Sequence, residues 1–303
     1  LRDLIQTSSF LVETQRGDDI AQSVAQKMGY PILRVKRTLD PQLFQSHEGA
    51  YNGHIPISAV CAFLGLFTSA LYGYRYVVVG NEQSSNVGNL RYRGETINHQ
   101  WSKSTEFETM MQEYTRKFIT PDIVYFSLLR PFFEIRIAKM FAKHKAYFFT
   151  FSSCNRNVTV SRERQKTLWC GTCPKCIFVF LILSPFLSKK DLRSIFGKNL
   201  FADASLLPLF RQVLGFGLHK PFDCVGTFEE AQAALFLASK RYGRDIVVGT
   251  FLPKVKQGRH LVETVMSLNP APTLPTRFRL LGLNSVCLLG YGREGKITHV
   301  YIK

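Results

Sequence analysis

Short apolar runs of strand character alternate with helical stretches through the first half of this chain, and that alternation restricts the fold more than any other feature. Tyr76-Val77-Val78-Val79 is a β-branched and aromatic run that stops at Gly80. It stands between an apolar helical stretch at 57–71 and an amphipathic one at 105–118, for which Ser104 is the predicted N-cap. Residues 18–28 place their apolar side chains on one helical face, Gly29 ends that helix, and 32–35 reads as the next strand. Further on, 123–126 and 146–151 read as strands and 132–141 as a helix. This order predicts an α/β fold with a doubly wound, mostly parallel sheet. After Cys176 the pattern turns helical, at 177–183, 189–196, 204–214 and 228–240, with Pro185, Gly197, Gly215 and Gly226 between the stretches.

Ligands of an open α/β sheet bind beyond the carboxyl ends of its strands. The run at 76–79 leads directly into Asn81-Glu82-Gln83-Ser84-Ser85-Asn86 and then into Asn98-His99-Gln100-Trp101-Ser102-Lys103-Ser104. Glu82, His99 and Lys103 bring charge and proton-carrying groups. Asn81, Asn98, Gln100, Trp101, Ser102 and Ser104 bring hydrogen-bonding and stacking groups suited to a nucleotide or an anionic substrate. Glu48, Asn52 and His54, ahead of the helix at 57–71, are expected to face the same cleft. A second polar stretch, His219-Lys220-Pro221-Phe222-Asp223-Cys224-Val225-Gly226, offers Cys224 or Asp223 as a proton carrier. A purely structural loop fits it as well. His260 and Glu263 share a helical face and read as surface neighbours.

Cys170, Cys173 and Cys176 follow C-x2-C-x2-C spacing, and Cys154 is the nearest candidate for a fourth ligand. Zinc, an iron–sulfur cluster, and reduced thiols at the start of a helix all remain open. Seven cysteines in 303 residues do not make a secreted disulfide scaffold, so a reducing, cytoplasmic setting is expected. No signal peptide opens the chain. Residues 55–74 carry no charged side chain, but Pro56, Gly65, Gly73 and several hydroxyls interrupt them, which favours a helix buried against the sheet over a membrane span. The net charge of +17 comes from scattered Lys and Arg with no basic block. That distribution suits a polyanionic small substrate and argues against nucleic acid.

Residues 269–275 hold three prolines and read as a linker. Beyond it, 285–289 reads as a strand opening into Gly290-Tyr291-Gly292-Arg293-Glu294-Gly295, a G-x-G-x-x-G turn that opens a helix, so that the chain ends in a Rossmann-like β-turn-α fragment. In it Gly290, Gly292 and Gly295 would let backbone N–H groups approach a phosphate. A glycine turn in a terminal hairpin is the alternative.

Several of these segments together resemble a known family. Gly49-Ala50-Tyr51-Asn52-Gly53-His54-Ile55-Pro56, the 80–85 and 98–104 stretches, the 169–176 cysteine run and His219-Lys220-Pro221-Phe222 are similar to the MurL-type epimerases of peptidoglycan precursor synthesis, over most of residues 30–265. The family is related to the PP-loop ATP pyrophosphatases. Residues 286–303 are similar to the opening of a Mur ligase that adds glutamate to the same UDP-linked precursor. The resemblance implies three parts: an epimerase domain at 1–268, the linker at 269–275, and the start of a ligase domain at 276–303. It implies a cytoplasmic isomerase of cell-wall biogenesis, acting on the terminal L-Glu of UDP-MurNAc-L-Ala-L-Glu. ATP and Mg2+ would activate the α-carboxylate as an acyl adenylate, releasing pyrophosphate and finally AMP, with Glu82, His99, Lys103 and Cys224 as candidate catalytic residues. Its partners would be that substrate and an adjoining or fused Mur ligase, with neither nucleic acid nor membrane. One departure stands out: the Ser/Gly-Gly-Gly-x-Asp-Ser phosphate cradle of PP-loop enzymes is not found in these residues. The chain as it stands is therefore expected to be inactive, with the cradle either upstream of Leu1 or lost. A PP-loop tRNA-modifying or 7-cyano-7-deazaguanine-type synthase, and a non-catalytic remnant, are the alternative readings.

Overall fold

The computed structural model describes residues 7–13, 19–29, 32–36, 38, 40–45, 48–49, 57–157, 167–217, 220–221, 223–280 and 299–302. The first of these form a β–α–β unit: β1 (Thr7–Glu13), α1 (Asp19–Met28) and β2 (Ile32–Lys36), with the two strands parallel. α2 (Ile57–Tyr72) crosses to β3 (Tyr76–Val79). A two-stranded hairpin, β4 (Leu90–Tyr92) and β5 (Glu95–Ile97), then projects from the loop beyond β3. α3 (Thr105–Tyr114) returns to β6 (Val124–Ser127), which pairs parallel with β3.

Helices dominate the rest: α4 (Glu134–Phe141), α5 (Pro174–Leu183), α6 (Lys189–Phe196), α7 (Leu207–Val213), α8 (Phe228–Tyr242), α9 (Ile246–Phe251), α10 (Gly258–Met266) and α11 (Thr276–Leu280). The last strand, β7 (His299–Ile302), closes the sheet order β2-β1-β7-β3-β6. It runs antiparallel to both of its neighbours, β1 and β3. The fold is thus mixed α/β, with four parallel strands and one antiparallel strand between the two parallel pairs.

Strand β3 explains why its sequence is continuously apolar. Val77 and Val79 face a cluster with Cys61 and Leu66 of α2 and Phe107 and Met111 of α3. Val78 faces the opposite layer with Phe126, Leu128, Leu274 and Phe278. A strand covered on both faces loses the alternation of a half-exposed one. The largest cluster lies in the helical half, around α5, in which every residue from Lys175 to Leu183 is buried. A helix that is apolar all round belongs inside. Edge-to-face and tilted ring pairs run through this cluster, from Phe141 to Phe151, Trp169, Phe196, Phe180 and Phe201.

Several expectations change. Residues 146–151 are not a strand: a 3-10 turn at Lys145–Tyr147 leads into irregular chain that buries Phe148 and Phe151 in the helical core. Their aromatic content serves packing, not pairing. The helix expected to reach 118 gives way after Tyr114 to one π turn at Thr115–Ile119, where the Thr115 hydroxyl donates back to the Met111 carbonyl at 2.7 Å. Strand β1, the β4–β5 hairpin and helix α9 were not anticipated, while α10 contains the helical face expected for His260 and Glu263. The proline-rich 269–275 segment is tied down: Asn269 N–H donates to the Pro131 carbonyl at 2.9 Å, and Leu274 is buried under the sheet. Among the described residues no helix is long and apolar enough to cross a membrane, α2 included. The 285–289 strand and the glycine turn at Gly290, Gly292 and Gly295 lie outside the described residues, but the helix expected after that turn is not what 299–302 form: His299-Val300-Tyr301-Ile302, β-branched and aromatic, is strand β7, paired on both sides.

Candidate functional site

The loops beyond the carboxyl ends of β3 and β6 are organised by one buried arginine. Arg130 and Glu108 are both fully buried and paired at 2.8 Å. The guanidinium also donates to the Glu82 carbonyl at 2.9 Å, the Ser85 hydroxyl at 3.1 Å and the Lys103 carbonyl at 2.7 Å. Glu108 uses its other oxygen to accept the Ser127 N–H at 3.0 Å. A planar five-donor fork is the side chain suited to holding several backbone carbonyls at once. The 82–85 turn, the 101–104 turn, α3 and the end of β6 therefore meet at this group.

Further side chains lock the same loop. Asn98 donates to the Ser85 carbonyl at 2.8 Å and accepts the Gln100 N–H at 2.9 Å. Asn86 accepts the Thr105 N–H at 2.7 Å, and Ser104 caps α3 by accepting the Phe107 N–H at 3.2 Å. Trp101 packs against Phe107 and donates to Glu106 at 2.8 Å. Asn81 and Gln100 are buried and Ser102 is half-buried. Much of the amide and hydroxyl density of this region thus serves the loop's own architecture.

His99 and Lys103 converge on Cys224, which arrives from the other half of the chain. The Cys224 Sγ lies 3.6 Å from His99 Nε2 and 3.7 Å from Lys103 Nζ. His99 Nδ1 is hydrogen-bonded to Asn89 Oδ1, and the same oxygen accepts the His99 backbone N–H at 3.4 Å. An amide oxygen on Nδ1 selects the tautomer in which that nitrogen carries the proton and Nε2 is the acceptor facing the thiol. The hairpin places Asn89: its N–H donates to the Ile97 carbonyl at 2.9 Å, and the turn uses Arg93 (φ 50°) and Gly94 (φ 86°), the two positive-φ positions of a tight hairpin. On the opposite side, Asp223 accepts a hydrogen bond from Asn155, and Thr227 and Glu230 form a capping box that starts α8 just beyond Cys224.

Two buried charges flank this loop. Burial pushes the Glu230 carboxyl up from the ordinary carboxylate value, against the Thr227 and Ile135 N–H groups that it accepts. Burial likewise pulls the Lys220 ammonium below the ordinary lysine value, while Glu230 and Glu134 pull it back up. Glu82, expected as a catalytic carboxylate, enters mainly through its backbone carbonyl on Arg130, and its own charge adds to the upward push on Glu230.

Cys154, Cys170, Cys173 and Cys176 form a second constellation, with the four sulfurs all within 4.8 Å of one another. Cys173 is the N-cap of α5 and Pro174 its first residue, so the capping turn itself gathers two of the sulfurs. Hydrogen bonds from Cys154, then Cys173 and Cys176, hold Cys170 low, while Cys154 and then Cys170 push Cys173 and Cys176 up.

Asn52, His54 and His219 lie outside the described residues, and Glu48 is exposed. His260 and Glu263 are exposed on α10, as surface neighbours should be. Sequence reasoning missed Asn89, Arg130 and Asn155. Arg130 had a signal, as one charge inside the apolar stretch Phe126-Ser127-Leu128-Leu129-Arg130-Pro131-Phe132.

Residues 3–128 match the MurL N-terminal domain and residues 150–263 the MurL C-terminal domain. The chain is 38% identical over 266 residues to a Xanthomonas oryzae pv. oryzae protein named UDP-N-acetyl-alpha-D-muramoyl-L-alanyl-L-glutamate epimerase, covering 86% of this chain and 59% of that protein. It is 39% identical over 243 residues to a protein of the same name from Salinispora tropica, covering 80% of this chain and 52% of that one. A Micromonospora protein, also so named, is 38% identical over 220 residues, covering 72% of this chain and 49% of its own length. The chain thus spans about half the length of the curated relatives it matches. No solved structure matches it.

Proposed function

Because the chain belongs to the MurL epimerase family, we propose that the protein inverts the terminal L-glutamyl residue of UDP-N-acetylmuramoyl-L-alanyl-L-glutamate to D-Glu. The observation that carries this reading at the level of residues is the convergence of His99, Lys103 and Cys224. Epimerisation needs a group that removes a proton from carbon, and a thiol beside an imidazole and an ammonium is such a group.

ATP enters as a co-substrate, with Mg2+ on its phosphates. A carboxylate oxygen of the glutamyl residue bonds to the α-phosphorus, the bond to the β-phosphate oxygen breaks, and pyrophosphate leaves. The acyl adenylate has no negative charge beside the carbanion to be formed, so its α-proton is far more acidic than that of the carboxylate. The Cys224 proton passes to His99 Nε2, and the Lys103 ammonium donates to the resulting thiolate. Asn89 holds the imidazole in the tautomer this requires. The thiolate takes the α-proton and the electron pair moves onto the acyl oxygen. A proton from the solvent side then enters the opposite face, and His99 releases its own proton to solvent. Water finally replaces AMP on the acyl carbon and restores the carboxylate.

The test is chiral analysis of glutamate released from the dipeptide after incubation with the full-length protein. D-Glu should form only with ATP, with one AMP per turnover. Inversion at an unchanged rate without ATP would overturn the adenylation step, and no D-Glu with ATP present would overturn the epimerase reading.

A further inference from the structure

The four-cysteine constellation lies outside the proton-transfer cluster, and the reaction proposed above does not use it. Three of its six sulfur separations are 3.5 Å for Cys173–Cys176, 3.6 Å for Cys170–Cys176 and 3.9 Å for Cys154–Cys173, and all four sulfurs lie within 4.8 Å of one another. A disulfide would bring two sulfurs to about 2.05 Å. A regular tetrahedron of thiolates bound to one zinc at about 2.3 Å has edges of about 3.8 Å. The observed separations bracket that edge. Sulfurs this close leave room for one ion and not for a multi-iron cluster inside them.

The surroundings are those of thiolates. The Thr172 N–H and hydroxyl reach Cys170 Sγ at 3.4 and 3.5 Å, and the Cys176 N–H reaches Cys173 Sγ at 3.5 Å. Gly171 takes φ 69° in the turn between Cys170 and Cys173, a conformation that strains other residues. Two of the four sulfurs sit at the N-terminal end of a ten-residue helix, where negative charge is stabilised. Three of the four cysteines are buried, and Cys170 is half-buried.

We propose that Cys154, Cys170, Cys173 and Cys176 bind one zinc ion as a closed, all-thiolate structural site, and that this knot positions the Cys224 loop. Among the described residues, Asn155 links the two. Asn155 follows Cys154 directly and donates to Asp223, the neighbour of Cys224. Fixing Cys154 on the metal fixes Asn155, and Asn155 holds Asp223. Four protein ligands leave no open position for water or substrate, so the metal has no part in the chemistry.

Metal analysis of this chain purified without chelator should return about one zinc per chain. Cobalt substitution should give thiolate-to-metal charge transfer and intense tetrahedral bands, which reads the ligand set without removing any cysteine. Less than a tenth of an equivalent of metal in folded protein overturns the site, and iron in place of zinc overturns the assignment. The positioning claim is read by hydrogen exchange at the amides of 223–226. Asn155→Ala should keep its zinc and its melting temperature within a few degrees, yet exchange several-fold faster there. Exchange at 223–226 equal to that of the unaltered protein overturns the coupling and leaves the metal site standing.

Discussion

In the sheet half of the molecule, the loops beyond β3 and β6 are tied by hydrogen bonds to one buried guanidinium. In the helical half, an apolar cluster around α5 does the holding, with a chain of aromatic rings running through it. The two halves then supply one cluster of polar side chains: His99 and Lys103 from the first, Cys224 from the second. The difference has a consequence. Apolar packing is tolerant of shape and intolerant of lost volume, whereas a polar hub is intolerant of a lost partner. Damage to the helical half should appear as lost stability, and damage to the sheet half as lost geometry at the thiol.

Phe201, fully buried among Phe180, Phe210 and Tyr242, is the strongest lever on the helical half. Phe201→Ala should cost about 3–5 kcal/mol in urea unfolding. A change below 1 kcal/mol would mean that this cluster does not carry the half. In the sheet half, Arg130→Met should cost a similar amount, about 3–5 kcal/mol, because Glu108 is left buried and unpaired. The two losses have different cures. Adding Glu108→Met to Arg130→Met should restore most of the stability, as replacing a buried ion pair with apolar groups often does. It should not restore epimerisation, because the Glu82 and Lys103 carbonyls still lack their donor. Recovery of activity in that double variant would erase the distinction between the halves.

Asn89→Ala sharpens the comparison at the thiol itself. It removes the acceptor on His99 Nδ1 and should lower kcat by about tenfold or more, with KM little changed, since a misplaced general base loses part of an effect of about 10²–10⁴-fold. Nitrogen NMR of the His99 ring should report a loss of the single tautomer. An unchanged tautomer with unchanged kcat would remove Asn89 from the arrangement.

The smallest expected effect is the pH dependence of Glu230, at the seam between the halves. Its folded carboxyl lies above the ordinary value, so the folded state holds that proton more tightly than the unfolded chain does. Its contribution to stability is therefore complete below the ordinary glutamate range and is lost as pH rises through the raised folded value. Glu230→Gln should flatten the melting temperature over the window between the ordinary glutamate value and that raised one. A profile parallel to that of the unaltered protein would show that the group does not titrate differently on folding.

These halves were also unequally legible in the sequence. The run at 76–79 and the helices α2, α3 and α8 followed from apolar periodicity, because burial on one or both faces writes itself into spacing. Spacing also marked the cysteine constellation, since three of its four cysteines are local in sequence. Residues 146–151 misled because aromatic residues mark burial equally well in strands and in turns, and here Phe148 and Phe151 go to the helical core. The hairpin was hidden because Arg93 occupies a positive-φ position where Asn or Asp would have signalled the turn. The meeting of Cys224 with His99 spans 125 residues, and no local pattern encodes such a contact. Nor does any pattern place β7 between β1 and β3, since strand order depends on what the rest of the sheet leaves open.

The central claim is that a thiol from the helical half moves the proton under the control of a loop from the sheet half. Solvent deuterium incorporation into UDP-N-acetylmuramoyl-L-alanyl-glutamate by full-length protein with ATP tests it most directly, comparing the unaltered enzyme with Cys224→Ala. The unaltered enzyme should place one deuterium at the glutamyl α-carbon of each D-Glu formed. Cys224→Ala should still release pyrophosphate on forming the adenylate, but should lose α-carbon exchange by at least about a hundredfold. Exchange and inversion by Cys224→Ala at the rate of the unaltered enzyme would contradict the account.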